Sequence, residues 1–289
     1  MKICASCGHA QAALPGACEA CGRAPRVHAG IELHAPDVEQ DEGYDPAYFA
    51  QLARLEDGHF WFRQRNRIIC AFARRFFPET RHFMEVGCGT GFVLRELKDE
   101  FPQWRAWGSE LHAEGLEFAA QRLPNLRFLQ MDARRIPFED EFDLIGSFDV
   151  LEHIPDDGEV LASMRSALRP GGGLLLTVPQ HPWLWSAQDE AAHHVRRYRR
   201  GELEEKLEKA GFSVLRSTSF VTLLLPMMLA SRLGNRLAGD GCDPLREVRI
   251  GPFANLLGNL GMRFDRTLIA MGINLPAGGS RIIAARRTQ

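Results

Sequence analysis

The sequence predicts an α/β protein with a mostly parallel sheet, helices on both faces of that sheet, and a small cysteine-rich unit ahead of it. An apolar run over residues 83–86 leads into a glycine cluster and then a helical pattern, which is the order of strand, tight turn and helix. Further short apolar runs alternate with helical patterns as far as residue 219, as expected of repeated strand–helix units. Four cysteines in two C-x-x-C pairs lie within the first 25 residues, where few apolar residues are available to form a core.

The composition is that of a folded globular chain, since 45% of the 289 residues are hydrophobic and 25% are charged. We expect no signal peptide, and we find no run of about 20 apolar residues that would span a membrane. The expected location is therefore the cytoplasm, with association to a membrane surface left open. Residues 194–289 carry 16 Lys/Arg and 8 Asp/Glu, against 19 and 29 in the rest of the chain, which favours an anionic substrate or surface.

The cysteine-rich unit, residues 1–25, has the spacing of a structural zinc site. Two matching C-x-x-C-G knuckles supply four ligands, Cys4, Cys7, Cys18 and Cys21. Four thiolates close a tetrahedral zinc shell and leave no open position, so this site is not expected to be catalytic. The unit resembles a zinc ribbon, whose folding energy comes from the metal. A role in contacting a protein partner stays open.

Two segments separate this unit from the predicted core. Residues 26–43 are acidic and polar and contain a proline, so they are predicted to be a linker. Residues 44–80 are predicted to form two helices rich in aromatic residues. These aromatic side chains either cover a bound ligand or serve as plain packing, and both interpretations stay open.

The glycine cluster reads Glu85-Val-Gly87-Cys-Gly89-Thr-Gly91, so its spacing is G-x-G-x-G rather than the G-x-G-x-x-G of dinucleotide-binding proteins. Glycines let the backbone approach a ligand, and the unpaired N–H groups at a helix start suit a polar or anionic group. The string resembles motif I of the class I S-adenosylmethionine (SAM) methyltransferases. The resemblance implies a Rossmann-like seven-stranded sheet whose last strand runs antiparallel between the fifth and the sixth. It also implies that the loop holds the methionine end of SAM and that Glu85 anchors its amino group.

Two acidic residues follow the next predicted strands. The second strand, residues 105–110, ends at Glu110, and the third, residues 125–131, is followed by Asp132. A carboxylate at the first position can accept both ribose hydroxyls of a nucleoside. The resemblance implies that Asp132 binds the adenine amino group. The cofactor site predicted in this way comprises Glu85, Gly87, Cys88, Gly89, Thr90, Gly91, Glu110, Leu111, Asp132, Ala133, Phe148, Asp149 and His153.

The fourth predicted strand, residues 142–148, runs into Asp149-x-x-Glu152-His153, and a helix follows. This stretch resembles motif IV of the family, and the Leu-Arg-Pro-Gly-Gly turn at residues 168–172 is another family hallmark. The chain is also similar to the ubiquinone-biosynthesis O-methyltransferases, where an E-x-x-E-H set at this place holds a divalent metal. That similarity leaves a magnesium site on Asp149, Glu152 and His153 as an alternative.

Residues 179–200 leave the fifth predicted strand and should form the wall of the substrate site. They resemble the H-x-R-R-Y stretch of bacterial methyltransferases of lipid and cell-surface metabolism. Histidine suits proton removal near neutral pH. The candidate catalytic bases are, in order, His194, His153 and His181. The candidates for holding a phosphate or carboxylate of the acceptor are Arg196, Arg197 and Arg199.

Residues 81–219 form the predicted cofactor-binding core, and residues 220–278 interrupt the sheet before a final strand within residues 279–289. The interruption places apolar residues at helical spacing beside arginines. We predict that it is a helical cap over the substrate pocket or a face that lies on a membrane.

The resemblance implies a SAM-dependent methyltransferase that moves a methyl group to an oxygen or nitrogen, less often a carbon, of a small-molecule or lipid-linked anionic acceptor. An RNA methyltransferase with the zinc ribbon as reader is an alternative, but no N/D-P-P-Y motif follows the fourth strand. A non-catalytic SAM-binding module that docks through the ribbon is another, although Glu85, Glu110 and Asp132 are all intact. Calorimetry with SAM and a nucleic-acid shift assay would separate these three hypotheses.

Overall fold

The computed structural model of the chain describes residues 1–4, 6–11, 16–35, 46–238 and 250–289. Its strands are β1 (Lys2–Ile3), β2 (Ala10–Gln11), β3 (Arg26–His28), β4 (Ile31–Leu33), β5 (His82–Val86), β6 (Arg105–Glu110), β7 (Arg127–Gln130), β8 (Phe142–Phe148), β9 (Leu168–Pro179), β10 (Phe212–Phe220) and β11 (Ser280–Arg287). Its α-helices are α1 (Pro46–Leu55), α2 (Phe60–Phe76), α3 (Phe92–Glu100), α4 (Ala113–Arg122), α5 (Asp157–Ala167), α6 (Ala187–Ala191), α7 (Glu202–Lys209), α8 (Leu225–Ala238) and α9 (Pro252–Ala270).

The central sheet has the strand order β10-β11-β9-β8-β5-β6-β7-β4-β3 in the described part of the chain. Strands β5 to β9 run parallel to one another, whereas β11 is antiparallel to both β9 and β10. The predicted mostly parallel sheet with an antiparallel last strand is therefore confirmed, and β3 and β4 bring the predicted seven strands to nine. The carboxyl ends of the parallel strands meet at one edge of the sheet, where α/β proteins place their ligands.

Helices cover both faces of this sheet because its strands alternate apolar side chains between two layers. Phe83 of β5 packs in the layer that contains α2 and α3, and the adjacent Met84 packs in the layer that contains α5 and α7. Both side chains are almost fully buried, at 1% and 0% exposed. A sheet buried on both faces explains why its strands are near-continuous apolar runs in the sequence.

The predicted linker at residues 26–43 is wrong for the residues that the structure describes. Residues 26–33 form the hairpin of β3 and β4, and β4 adds to the sheet in parallel with β7. The edge of β7 has unpaired backbone groups, and pairing with β4 satisfies them while burying Ile31. Glu32 is not solvated as its acidity suggested, because it accepts a hydrogen bond from Lys2 Nζ at 2.8 Å. Residues 36–43 lie outside the described residues.

The cysteine-rich unit is joined to the core through its first residues. Ile3 N donates to Pro137 O at 2.9 Å, and Lys2 forms an antiparallel bridge with Phe138. The chain start therefore extends the fold of the core rather than standing apart from it, which corrects the predicted independence of residues 1–25.

The predicted cap consists of α8 and α9, which lie between β10 and β11; residues 239–249 of it lie outside the described residues. Two side-chain bonds fix α9 on α2: Asn255 Oδ1 accepts from Phe60 N at 2.8 Å, and Asn259 Oδ1 accepts from Gln64 Nε2 at 2.7 Å. Gly258 allows this close approach, since a Cβ there would lie 2.6 Å from the Phe60 ring. None of the described helices has both the length and the apolar character needed to cross a bilayer.

Candidate active site

A cavity of about 670 Å³ opens at the carboxyl ends of β5, β6 and β8. Its floor is the sheet edge, its roof comes from α1 and α2, and one wall comes from the cap. This size suits a cofactor together with part of a second molecule. The cavity contains twelve of the thirteen predicted cofactor-site residues among its lining. The exception is Gly91, which begins α3 and packs against Ala119 instead.

The glycine loop has a backbone that only glycine adopts readily. Gly87, Gly89 and Gly91 have φ angles of 74°, 49° and 74°. A Cβ on Gly87 would lie 2.3 Å from the Val150 side chain, so a larger residue would push the loop away from β8. The loop is anchored to the next strand, because the N–H groups of Gly87 and Cys88 both donate to Ser109 O at 2.8 Å.

Glu85 is a buried carboxyl group at the end of β5 and faces the cavity. Its Oε2 has no hydrogen-bond partner among the described residues. Burial raises the pKa of Glu85 well above its ordinary value, although the charge of Arg65 opposes this shift. A ligand that brings an ammonium group to this position would both neutralise the carboxylate and satisfy its unpaired oxygen.

Glu110 fixes the glycine loop as well as facing the cavity. Its Oε2 accepts from Gly89 N at 3.1 Å, and its Oε1 accepts from Leu111 N at 2.8 Å and His112 N at 3.3 Å. A carboxylate has about four acceptor sites, so room remains for ligand hydroxyl donors. Glu110 is thus at the predicted place, with a role in loop geometry that the sequence did not indicate.

Asp132 lines the cavity, but its carboxylate is occupied by a neighbour. Its Oδ1 accepts from Arg134 N at 2.8 Å, and the Arg134 guanidinium pairs with both carboxylate oxygens. This contact forms because Asp132 caps the short 3₁₀ turn at Ala133–Arg135. At the predicted adenine-binding position, Asp132 is therefore part of an ion pair with Arg134 and is not a lone acid.

The helices α1 and α2 form the roof, so the aromatic residues before the core cover the cavity and pack at the same time. Arg65 Nη1 donates to Asp149 Oδ2 at 2.6 Å, and its guanidinium lies 4.5 Å from the centre of the Trp61 ring. Glu56 accepts a hydrogen bond from Thr90 of the glycine loop at 2.6 Å. Arg65 and Glu56 were not predicted as site residues. The aromatic run ahead of the glycine loop was the signal that pointed to this roof.

His194 is the best placed of the three predicted bases. Its Nδ1 lies 2.8 Å from Asp189 Oδ1, and the same oxygen accepts from Arg197 Nε at 2.7 Å. Although burial opposes the shift, the donors His194 and Arg197 lower the pKa of Asp189 to about 2. Because an ionised Asp189 can only accept a hydrogen bond, the hydrogen of neutral His194 lies on Nδ1, and the lone pair of Nε2 stays available. Asp189 is the orienting residue that the sequence interpretation missed.

The other two histidines differ from each other. The His153 ring lies 4.7 Å from the His194 ring, and burial, with the charge of His194, lowers the pKa of His153 to about 3. His153 is therefore neutral near pH 7. His181 is not among the residues that line the cavity and stacks on Trp183 instead, with ring centres 4.9 Å apart. The geometry therefore gives its candidacy as a base no support, and its backbone has a φ of 67° just after the end of β9.

The magnesium alternative does not fit the geometry. Asp149 points to Arg65 and Thr177, whereas the donor atoms of Glu152, His153 and His194 lie within 4.8 Å of one another. Two imidazoles and one carboxylate are not the oxygen-only set that magnesium prefers. Glu152 is fully buried, neither of its carboxylate oxygens has a partner among the described residues, and burial followed by the charge of Asp149 raises its pKa well above the ordinary value.

Two of the predicted anion-binding arginines are committed to internal ion pairs. Arg196 Nη1 lies 2.6 Å from Asp157, and Arg197 pairs with Asp189. Arg199 lies in an outer groove beside Trp185 and Glu202, apart from the main cavity. All three residues nevertheless line this one outer groove together with Arg200, and of the three only Arg197 also lines the main cavity.

The four cysteines of the N-terminal unit converge as predicted. Sγ of Cys4 lies 3.8 Å from Sγ of Cys21, and Sγ of Cys7 lies 3.6 Å from Sγ of Cys18. All four sulfur atoms lie within 4.8 Å of one another. Four sulfurs at this separation fit the corners of a tetrahedral zinc shell with Zn–S distances of about 2.3 Å.

A glycine loop at the first strand, an acid at the second and a cavity along the same sheet edge define the Rossmann-like methyltransferase class of α/β folds. The family model described as "Methyltransferase domain" matches residues 61–217, more than half of the chain. The chain therefore belongs to this family.

Two relatives that are named for an activity each match less than half of this chain. The chain is 37% identical over 125 residues to trans-aconitate 2-methyltransferase of Deinococcus radiodurans, covering 43% of this chain and 45% of that protein. It is 30% identical over 142 residues to malonyl-[acyl-carrier protein] O-methyltransferase of Halalkalibacterium halodurans, covering 45% and 52%. The chain thus spans about half the length of these curated relatives.

A solved structure shows the same fold. Phosphoethanolamine N-methyltransferase 2 of Haemonchus contortus, in complex with phosphomonomethylethanolamine and S-adenosylhomocysteine, superposes with a TM-score of 0.52. The superposition covers 77% of this chain and 53% of that chain at 21% sequence identity. At this identity the similarity establishes the fold and nothing finer.

Proposed function

We propose that this protein is a SAM-dependent methyltransferase that methylates an oxygen or a nitrogen of a small-molecule or lipid-linked anionic acceptor. The observation that carries the proposal is the unpaired, buried carboxyl of Glu85 beside the glycine loop, with Glu110 at the next strand end of the same cavity. A ligand with an ammonium group at one end and a ribose at the other suits both positions. SAM is such a ligand, and the family to which the chain belongs supports it.

The residues around the loop would hold the cofactor, which supplies a methyl group on a sulfonium leaving group. Glu85 binds the amino group, the Gly89 region accommodates the methionine end, and Glu110 accepts the ribose hydroxyls. The α1–α2 roof excludes water from the reacting atoms, and the bond from Arg65 to Asp149 holds this roof against the end of β8.

His194 acts as the general base. Its Nε2 takes the proton from the acceptor O–H or N–H, the acceptor atom forms the new bond to the methyl carbon, and the electrons of the C–S bond return to sulfur. Asp189 keeps the Nδ1–H tautomer in place and stabilises the imidazolium that forms, as an orienting carboxylate does in other histidine dyads. Arg197 Nε donates to the same Asp189 oxygen and so helps to hold this carboxylate in place.

The acceptor side of the cavity combines apolar and basic residues. Leu224, Met227 and Met228 line it together with Arg232, a side chain only 8% exposed. A carboxylate or phosphate beside an apolar group matches such a lining. The similar enzymes named for trans-aconitate and malonyl-acyl carrier protein act on carboxylate-bearing molecules. We infer an anionic acceptor with an apolar portion.

We further propose that the four-cysteine cluster holds one structural zinc ion and that the protein acts in the cytoplasm. The RNA methyltransferase alternative gains no support, since three of the four arginines that line the cavity, Arg65, Arg134 and Arg197, are engaged in ion pairs. The non-catalytic module remains the competing hypothesis, and only an assay of methyl transfer separates it from an enzyme.

The test combines binding and transfer. We expect SAM to bind in calorimetry and radiolabelled methyl from SAM to enter a component of fractionated cell extract. His194→Gln should keep SAM affinity within about twofold and lower transfer by about 10²–10⁴-fold, the range for loss of a general base. His28→Gln, at an exposed position on β3, is the control. Failure of SAM to bind contradicts the enzyme, and binding without transfer to any fraction supports the non-catalytic module.

A further inference from the structure

The cap has a second apolar face that the fold does not use. Ten of the fifteen large apolar side chains exposed in the described part of the chain fall within residues 223–273. On α9 they recur at helical spacing, so they form one stripe along the helix. The stripe consists of Phe253, Leu256, Leu257, Leu260 and Phe264, which are 43–73% exposed.

The orientation of this stripe follows from how α9 is held. Asn255, Gly258 and Asn259 face α2, and Met262 and Ile269 are buried beneath the helix. The stripe therefore lies on the opposite side and points away from the protein. A soluble helix normally presents polar residues there, whereas α9 is apolar on both sides.

A basic residue, Arg263, flanks the stripe, and none of the described residues of α8 and α9 places an acidic side chain on the same face. Arg263 is exposed, and Arg266 lies close enough to Arg263 and Arg67 for their charges, after burial, to lower its pKa. The single acidic residue of α8 and α9, Asp265, is 2% exposed and accepts hydrogen bonds from the backbone N–H groups that precede α8. The surface thus offers apolar side chains and guanidinium groups together.

The same cap also lines the cavity. Leu224, Met228 and Ala254 lie on its wall, and Met227 contributes to the cavity while remaining 47% exposed. Met227 therefore joins the lining of the cavity to the exposed surface of the cap.

We propose that the outer face of α9, with the adjoining part of α8, is a docking surface for a lipid bilayer that carries anionic headgroups. Apolar side chains enter the headgroup boundary and arginines pair with lipid phosphates, as in interfacial amphipathic helices. A second copy of the chain is a poorer occupant, because two such faces would oppose arginine to arginine, and the residues that the structure describes place no carboxylate between them. The proposal extends the proposed function by identifying the bilayer as the source of the acceptor, but the surface itself does not depend on SAM chemistry.

The test uses the full chain and sedimentation with vesicles of phosphatidylcholine, with or without phosphatidylglycerol. We expect binding to the anionic vesicles. Leu256→Asp with Leu260→Asp should lower binding more than tenfold, since both side chains would leave the boundary region. Arg263→Ser should weaken binding about fivefold on anionic vesicles, which is the effect of one basic residue near a membrane.

The control variants carry the same kinds of substitution at exposed positions away from the cap. Leu215→Asp, at an exposed position on β10, and Arg81→Ser, ahead of β5, should bind vesicles as the unmodified chain does. Calorimetry with SAM on the double aspartate variant shows that it is folded and keeps the two proposals separate. Loss of vesicle binding with intact SAM binding supports the bilayer.

Two results would overturn it. One is failure of the unmodified chain to sediment with anionic vesicles, and the other is unchanged vesicle binding by the double aspartate variant. Light scattering that shows a dimer without vesicle binding, converted to a monomer by the double aspartate change, would assign the face to a second copy of the chain.

Discussion

Replacing Glu110 with alanine tests the cofactor site most directly, because this carboxylate is placed both to hydrogen-bond the glycine loop and to bind the ligand. It accepts three backbone hydrogen bonds, of which those from Leu111 at 2.8 Å and Gly89 at 3.1 Å are well formed. The third, from His112 at 3.3 Å, contributes least. Hydrogen bonds to a charged group stabilise by about 1.5–3 kcal/mol each when buried. Because Glu110 is half-buried, water can hydrogen-bond to some of the backbone N–H groups that lose their acceptor when Glu110 is removed.

From these contacts we expect Glu110→Ala to lower the unfolding free energy by about 2 kcal/mol. The loss of the ribose acceptor should also weaken SAM binding by about 2 kcal/mol, or roughly thirtyfold. Glu110→Gln keeps the shape and one acceptor oxygen, so its effect on affinity should be intermediate.

The assays are urea unfolding and calorimetric titration with SAM. Glu117→Ala, on the exposed side of α4, is the matched control and should change neither quantity. A Glu110→Ala variant that is folded and binds SAM with unchanged affinity would show that Glu110 is not part of the cofactor site and that the acid at the end of β6 does not bind the ligand.

Two further predictions concern pH and metal. The pKa of His153 is about 3 in the folded protein, far below its ordinary value, so the unfolded chain binds the extra proton first and stability is lost as pH falls below about 6.5. Urea unfolding should show that the free energy of unfolding decreases between pH 7 and pH 5 by at least about 1 kcal/mol less in His153→Gln than in the unmodified chain. The control His28→Gln should show the same decrease as the unmodified chain. Equal decreases in all three proteins would refute the burial argument. Cys4→Ser should abolish the one equivalent of zinc found by elemental analysis and leave SAM binding intact, while Cys70→Ser, at a buried site outside the cluster, keeps the metal. Zinc retained in Cys4→Ser would disprove the four-cysteine site.

Local patterns predicted the part of the site that is built from consecutive residues. The order of strand, glycine turn and helix around Gly87 depends on backbone conformations that neighbouring residues impose, so it is legible in the sequence. Glu110 was predicted for a related reason, since the carboxyl ends of parallel strands must meet at one edge. The paired C-x-x-C spacing likewise anticipated the convergence of the four cysteine sulfurs.

Pairing between distant segments was not predictable in this way. The edge of β7 recruits β4 because unpaired backbone groups need partners, although the acidic residues around β4 had suggested a solvated linker. Arg65 donates a hydrogen bond to Asp149, which lies 84 positions further along the chain. Asp132 pairs with Arg134 at a local cap, and this pairing competes with the predicted role of Asp132 in binding a ligand.

The sequence by itself determined the fold class, the glycine loop, the strand-end acids and the cysteine spacing, because each depends on local backbone geometry or on a short repeating pattern. Only the tertiary structure decided which of the three candidate histidines line the cavity. His153 and His194 do, with His194 held by Asp189 and Arg197, whereas His181 stacks on Trp183 outside the lining. It also decided that α9 has one apolar face on the core and another outside, since periodicity reveals apolar stripes but not what covers them.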